Sequence, residues 1–80
     1  MRRERILEAV ARVAERHLGW KGELSPEMHL VEDLDLDSLK LLTLAVEVEN
    51  HFQICLDEAD EAAIETVADL VRTIEQKVTS

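Results

Sequence analysis

The sequence predicts an all-α fold: a small bundle of three longer helices and one short helix, with a long loop between the first two. Three observations carry this prediction. Only two Gly and one Pro interrupt eighty residues, too few for a sheet joined by tight turns. The apolar residues are aliphatic, with one Phe, one Trp and no Tyr. They recur at three- and four-residue spacing in three separate stretches. One domain over residues 1–80 is expected, with a modest core and a thin stability margin.

Arg3 to Leu18 reads as the first helix. Ile6, Val10, Val13 and His17 share one face, with Leu7, Ala14 and Leu18 beside them, and Gly19 stops the helix. His17 reads as a boundary residue and a poor metal-site candidate. Glu4, Glu8 and Glu15 stand at helical spacing to Arg5, Arg12 and Arg16. That pattern predicts a solvated, ion-paired face rather than a nucleic-acid arm. Trp20 to Asp37 reads as a long loop, a length that is often functional. Within it, Ser25-Pro26-Glu27-Met28 suits one helical turn, with Ser25 as cap and Pro26 at the first helical position. Trp20, Met28, Leu30, Leu34 and Leu36 are expected to tie the loop to the core.

Ser38 to Phe52 reads as the second helix. Leu41, Leu44, Ala45, Val48 and Phe52 form one apolar stripe, and Leu39, Leu42 and Val46 form another. One stripe suffices for the core of a single-layer domain. The second is either a partner surface or the mark of a nearly encircled helix. Gln53-Ile54-Cys55-Leu56 reads as a connector, and Asp57 to Ile64 as a short third helix. Thr66 and Asp69 form a capping-box pattern before the last helix. Val67, Leu70, Val71, Ile74 and Val78 line one face of that helix.

The net charge is −9, unevenly spread. Residues 1–22 hold six basic and three acidic residues, a net +3, and residues 23–80 a net −12. An acidic body repels nucleic acid and attracts basic protein surfaces. No apolar run reaches the roughly 20 residues of a membrane span. The start Met1-Arg2-Arg3-Glu4-Arg5 lacks a signal peptide's apolar core. The lone Cys55 has no internal disulfide partner and, between Ile54 and Leu56 with no basic neighbour in sequence, reads as a buried, inert thiol. A cytoplasmic monomer is expected.

Ser38 is the residue that asks for chemistry. It stands where the acidic loop Asp33-Leu34-Asp35-Leu36-Asp37 meets an apolar helix. Asp37 suits the capping role, which leaves the Ser38 hydroxyl at a positive helix end where a phosphate is welcome. Asp33, Asp35 and Asp37 imitate positions 1, 3 and 5 of a calcium loop, but Ser38 replaces its Gly and Leu44 its final Glu. A Gly-x-Ser-x-Gly elbow is absent, and His51 lies too far along the helix to serve Ser38 as a base. Catalysis by this chain is therefore not expected, and covalent modification of Ser38 is the remaining option.

The wider context resembles the acyl carrier protein family. The resemblance rests on the acidic loop, Asp37-Ser38-Leu39, the apolar helix to Phe52, Ile54, the acidic short helix and Thr66-Val67 with Asp69-Leu70. It implies that Ser38 carries 4′-phosphopantetheine, attached by a phosphopantetheinyl transferase, with Asp37 in the attachment motif. It implies that acyl chains ride on the arm as thioesters, presented to fatty-acid, polyketide or other specialised lipid enzymes. Leu39, Lys40, Leu42, Val46 and Glu47 are then the partner surface. Glu47, Glu49, Asp57, Glu58, Asp60 and Glu61 would steer toward basic patches. Lys40 and Thr43 stand where the fatty-acid pattern usually has acids, and Cys55 where it usually has Pro, which points to a specialised carrier. A helical interaction module without the arm is the alternative from a different class.

Overall fold

Helix α1 spans Arg3–Leu18, α2 Ser38–Phe52, α3 Glu58–Ala63 and α4 Val67–Thr79. The computed structural model describes residues 2–79. Met1 and Ser80, the ends of the expected domain, lie outside the described residues. Among those residues the chain forms no strand, only an isolated antiparallel bridge between His29 and Thr66.

Each helix begins and ends where its sequence supplies partners for orphan backbone groups. Gly19 takes the left-handed conformation (φ 70°), and the Trp20 N–H donates to the Ala14 carbonyl at 3.1 Å. Asp37 caps α2, its Oδ1 accepting the Lys40 N–H at 2.8 Å. Asp57 and Asp60 cap α3 reciprocally: each carboxylate accepts the other's backbone N–H, at 2.7 and 3.1 Å. The Thr66–Asp69 box is present as well. Thr66 Oγ1 accepts the Asp69 N–H, and Asp69 Oδ2 accepts the N–H groups of Thr66 and Glu65, all at 3.1 Å.

The core joins α1, α2, α4 and the long loop. Ile6, Val10, Val48, Val67 and Ile74 are almost wholly buried, and Leu24, Leu30, Leu34 and Leu36 anchor the loop among them. Trp20 and Met28 pack on this core partly buried. Leu24 was not among the expected anchors, because no periodicity marks it. Asp35 has φ 56°, a left-handed conformation that Asp tolerates. It turns the chain between two buried leucines and leads it into α2.

The single turn expected at Ser25-Pro26-Glu27-Met28 is present, the Met28 N–H donating to the Ser25 carbonyl at 3.0 Å. Its carbonyls at Pro26 and Met28 accept the Ala68 and Val67 N–H groups of α4, at 2.8 and 2.9 Å. The ion-paired face of α1 does not form. Three ion pairs and a His17–Glu47 contact occur among the described residues, and none joins Glu4, Glu8 or Glu15 to Arg5, Arg12 or Arg16. Three of these contacts cross between helices: Arg3–Glu75, His17–Glu47 and Lys77–Asp60.

Candidate functional site

Ser38 begins α2 and is exposed. The cap just before it uses one carboxylate oxygen of Asp37 on the Lys40 N–H, and the Asp37 carbonyl accepts the Leu41 N–H at 2.9 Å. The N–H groups of Ser38 and Leu39 remain without a partner among the described residues. No acid occupies the first turn of α2, and Lys40 lies within it. The helix dipole and Lys40 favour an anion at this end, while the Asp37 carboxylate already occupies the Lys40 N–H.

Ser38 also borders an apolar cleft of about 360 Å³. Leu41, Leu42, Leu44 and Ala45 of α2 form one wall. Leu30 and Leu70 close the core side, while Leu56, Glu61 and Ile64 bring the connector and α3 against it. That volume is at the lower end of the ~300–1,000 Å³ of small-ligand sites. The contributions of Leu56, Glu61 and Ile64 had no signal in the sequence: they lie on segments too short for periodicity to orient.

The second apolar stripe of α2 is uncovered. Leu39 is 71% exposed, Leu42 57% and Val46 43%. This decides between the two readings of the stripe, since an encircled helix would bury it. Glu47 does not join it. Its carboxylate turns toward α1 and lies 3.5 Å from His17 Nδ1. Three more of the expected steering acids are engaged in holding the fold. Glu49 accepts the Leu56 N–H at 2.8 Å, Asp57 is in the α3 cap, and Asp60 both caps α3 and meets Lys77 at 2.7 Å. Glu58 and Glu61 remain exposed, and Glu61 lines the cleft.

The three aspartates before Ser38 do not converge on a cation. Asp33 Oδ2 accepts the His29 N–H at 2.7 Å, Asp37 caps α2, and Leu34 and Leu36 between them point into the core. Cys55 is exposed and unpaired, not buried as its apolar neighbours suggested, because it stands on the short connector where Ile54 and Leu56 are the partly buried residues.

Residues 4–74 match the family model described as a phosphopantetheine attachment site. The chain belongs to the acyl carrier protein family. It is 36% identical to the acyl carrier protein of Thermotoga maritima over 77 residues, 95% of each chain. It is 34% identical over 74 residues to the meromycolate extension acyl carrier protein of Mycobacterium leprae. That match covers 91% of this chain but only 64% of the relative's length. A solved structure described as an acyl carrier protein of Mycobacterium tuberculosis superposes with a TM-score of 0.83 at 32% identity. The superposition covers 89% of this chain and 96% of that one. The family's group is covalently attached 4′-phosphopantetheine. Family membership disfavours the reading as an unmodified module. The residues present fit such an arm: an exposed hydroxyl, unpartnered N–H groups for a phosphate, and an apolar cleft alongside.

Proposed function

We propose that Ser38 carries the 4′-phosphopantetheine arm and that the domain, residues 1–80, transports acyl chains for lipid-type biosynthesis. The observation that carries this reading is the exposed Ser38 at the start of α2, with unpartnered N–H groups beside it and an apolar cleft along its side. When bound, the arm supplies a terminal thiol that holds acyl groups as thioesters. The protein's own residues do the rest. Asp37 fixes the first turn and so the direction of the hydroxyl. The Ser38 and Leu39 N–H groups, with the Lys40 ammonium, favour the phosphate. The aliphatic walls of the cleft exclude water from an apolar chain.

Leu39, Leu42 and Val46 are proposed as the contact with partner enzymes, with Lys40 setting partner choice beside them. Glu58 and Glu61 support partners that present basic patches. Glu47 serves that surface indirectly, by bracing α2 against α1. An exposed, unpaired Cys55 suits a reducing cytoplasm, where the domain works as a monomer. The relative from Mycobacterium leprae is named for meromycolate extension, and a long apolar cargo of that kind is the substrate class we favour.

Incubation with a phosphopantetheinyl transferase, CoA and magnesium should add the mass of one phosphopantetheinyl group, and Ser38→Ala should abolish the gain. An equal gain on Ser38→Ala would reject the assignment. Leu42→Ser should slow acyl transfer by partner enzymes while changing stability by less than about 0.5 kcal/mol, as exposed positions do. Unchanged transfer would remove the stripe from the partner surface.

A further inference from the structure

Leu42 belongs to two surfaces at once. It lines the Ser38 cleft, and it is 57% exposed within the apolar stripe. Leu39 and Val46, its companions in the stripe, do not line the cleft. The other aliphatic residues of the cleft are buried or half-buried, so Leu42 alone among them faces solvent.

Helical geometry explains the sharing. Successive residues of α2 turn by about 100° around its axis. Measured from Ser38, Leu42 stands at about +40°, Val46 at about +80° and Leu39 at about +100°. On the other side, Ala45, Leu41 and Leu44 stand at about −20°, −60° and −120°. Leu42 is therefore the boundary, with the cleft on one flank and the stripe on the other. It also follows Ser38 by four residues, and long helical side chains lean back over the preceding turn. Its side chain thus stands over the turn from which the arm departs.

We propose that Leu42 is a positioning residue, the lip that retains an acyl chain in the cleft and that a docked partner takes over. The inference rests on Ser38 as the attachment point. One flank of the side chain covers a chain lying in the cleft, and the other is presented to a protein packed on Leu39 and Val46. A helical leucine takes one of two χ1 settings, about 180° or about −60°, so it serves one neighbour at the expense of the other. Cargo in the cleft and a partner on the stripe then oppose each other through this residue, by the same factor in both directions. Leu39, at 71% exposure and outside the cleft, contributes to docking alone.

The test loads Ser38 with a butanoyl or an octanoyl arm, using the transferase, magnesium and the matching acyl-CoA, and checks loading by mass. Hydroxylamine then attacks the thioester carbonyl and releases the hydroxamate and the arm's thiol, at a rate that reports how well the chain is covered. Leu42→Ala should speed cleavage of the octanoyl form about threefold or more, and of the butanoyl form less. Leu42→Met, which keeps the apolar reach, should restore the rate, while Leu39→Ala and Val46→Ala leave it unchanged. In methyl NMR, replacing the butanoyl by the octanoyl arm should shift the Leu42 methyls and leave those of Leu39 and Val46 in place. With a bacterial condensing synthase as the docking probe, Leu39→Ala and Leu42→Ala should both raise KM. Only Leu42→Ala should narrow the kcat difference between the butanoyl and octanoyl forms. Wild-type cleavage rates in Leu42→Ala, equal acceleration by Leu39→Ala, no rescue by Leu42→Met, unmoved Leu42 methyls or an unchanged kcat difference would each overturn the proposal. Failure to load Ser38 at all would instead reject the attachment reading, which keeps the two failures distinct.

Discussion

Helices α3 and α4 are neighbours in sequence and opposites in how they are held. Helix α4 sinks Val67, Leu70, Val71 and Ile74 into the core. Its first N–H groups are taken up by the Thr66–Asp69 cap and by the carbonyls of Pro26 and Met28. Helix α3 buries no residue at all. It is fixed by its own Asp57–Asp60 cap, by the Lys77–Asp60 pair, and by the half-buried Ile64 at its end. Yet α3 and its flanks wall the cleft beside Ser38. The chain thus places its buried apolar residues on α1, α2, α4 and the long loop, and leaves the outer wall of the Ser38 cleft to polar contacts at the surface. Elements that move for a ligand are drawn from this weakly held class.

The largest effect that separates the two helices is a core truncation. Ile74→Ala should cost about 2–5 kcal/mol, a large share of a total of ~5–15 kcal/mol, read from the urea midpoint. Ala62→Gly, on exposed α3, should cost no more than ~1 kcal/mol. Equal costs would mean that α3 is as much a part of the cooperative unit as α4. Next in size, Thr66→Ala removes the α4 cap and should cost about 0.5–2 kcal/mol, again in the global transition.

This contrast explains what the sequence made legible. Long periodic stretches announce themselves, so α1 and α2 fall at the bounds their patterns predict. The Thr66–Asp69 box was readable because the residue types at its two ends dictate the bonds. The exposure of Leu39, Leu42 and Val46 was not readable, since a stripe looks the same whether another element covers it or not. Nor was the cleft. Its outer wall depends on where a six-residue helix settles, and that is decided by a cap, one lysine and one isoleucine. The fate of the acids was hidden for a similar reason. Glu47, Glu49 and Asp60 look like free surface charge until tertiary contacts bring His17, the Leu56 N–H and Lys77 to them.

The subtlest test of the contrast is pH, because α3 and α4 should answer differently at the two ends of the scale. The Lys77 hydrogen bond, then the Asp57 N–H, hold the Asp60 carboxyl below its ordinary 3.8. The Glu65 and Thr66 N–H groups do the same for Asp69. Both contributions are complete above pH 3.8 and vanish as pH falls through the lowered values. Asp60, in turn, raises Lys77 above 10.5, so that contribution is complete below pH 10.5 and fades as pH climbs through the raised value. All these groups are solvated, so the effects are small and local. Acid should therefore disturb the starts of both helices, whereas alkali should disturb α3 alone. Methyl NMR can follow this, with Ala59, Ala62 and Ile64 reporting on α3 and Val67 and Ile74 on α4. Above pH 10.5 the α3 methyls should shift while those of Val67 and Ile74 hold, and Lys77→Met should show the shifted α3 positions already at neutral pH. Alkaline shifts of equal size in both sets would show that the Lys77–Asp60 pair braces the whole bundle rather than the wall of the cleft.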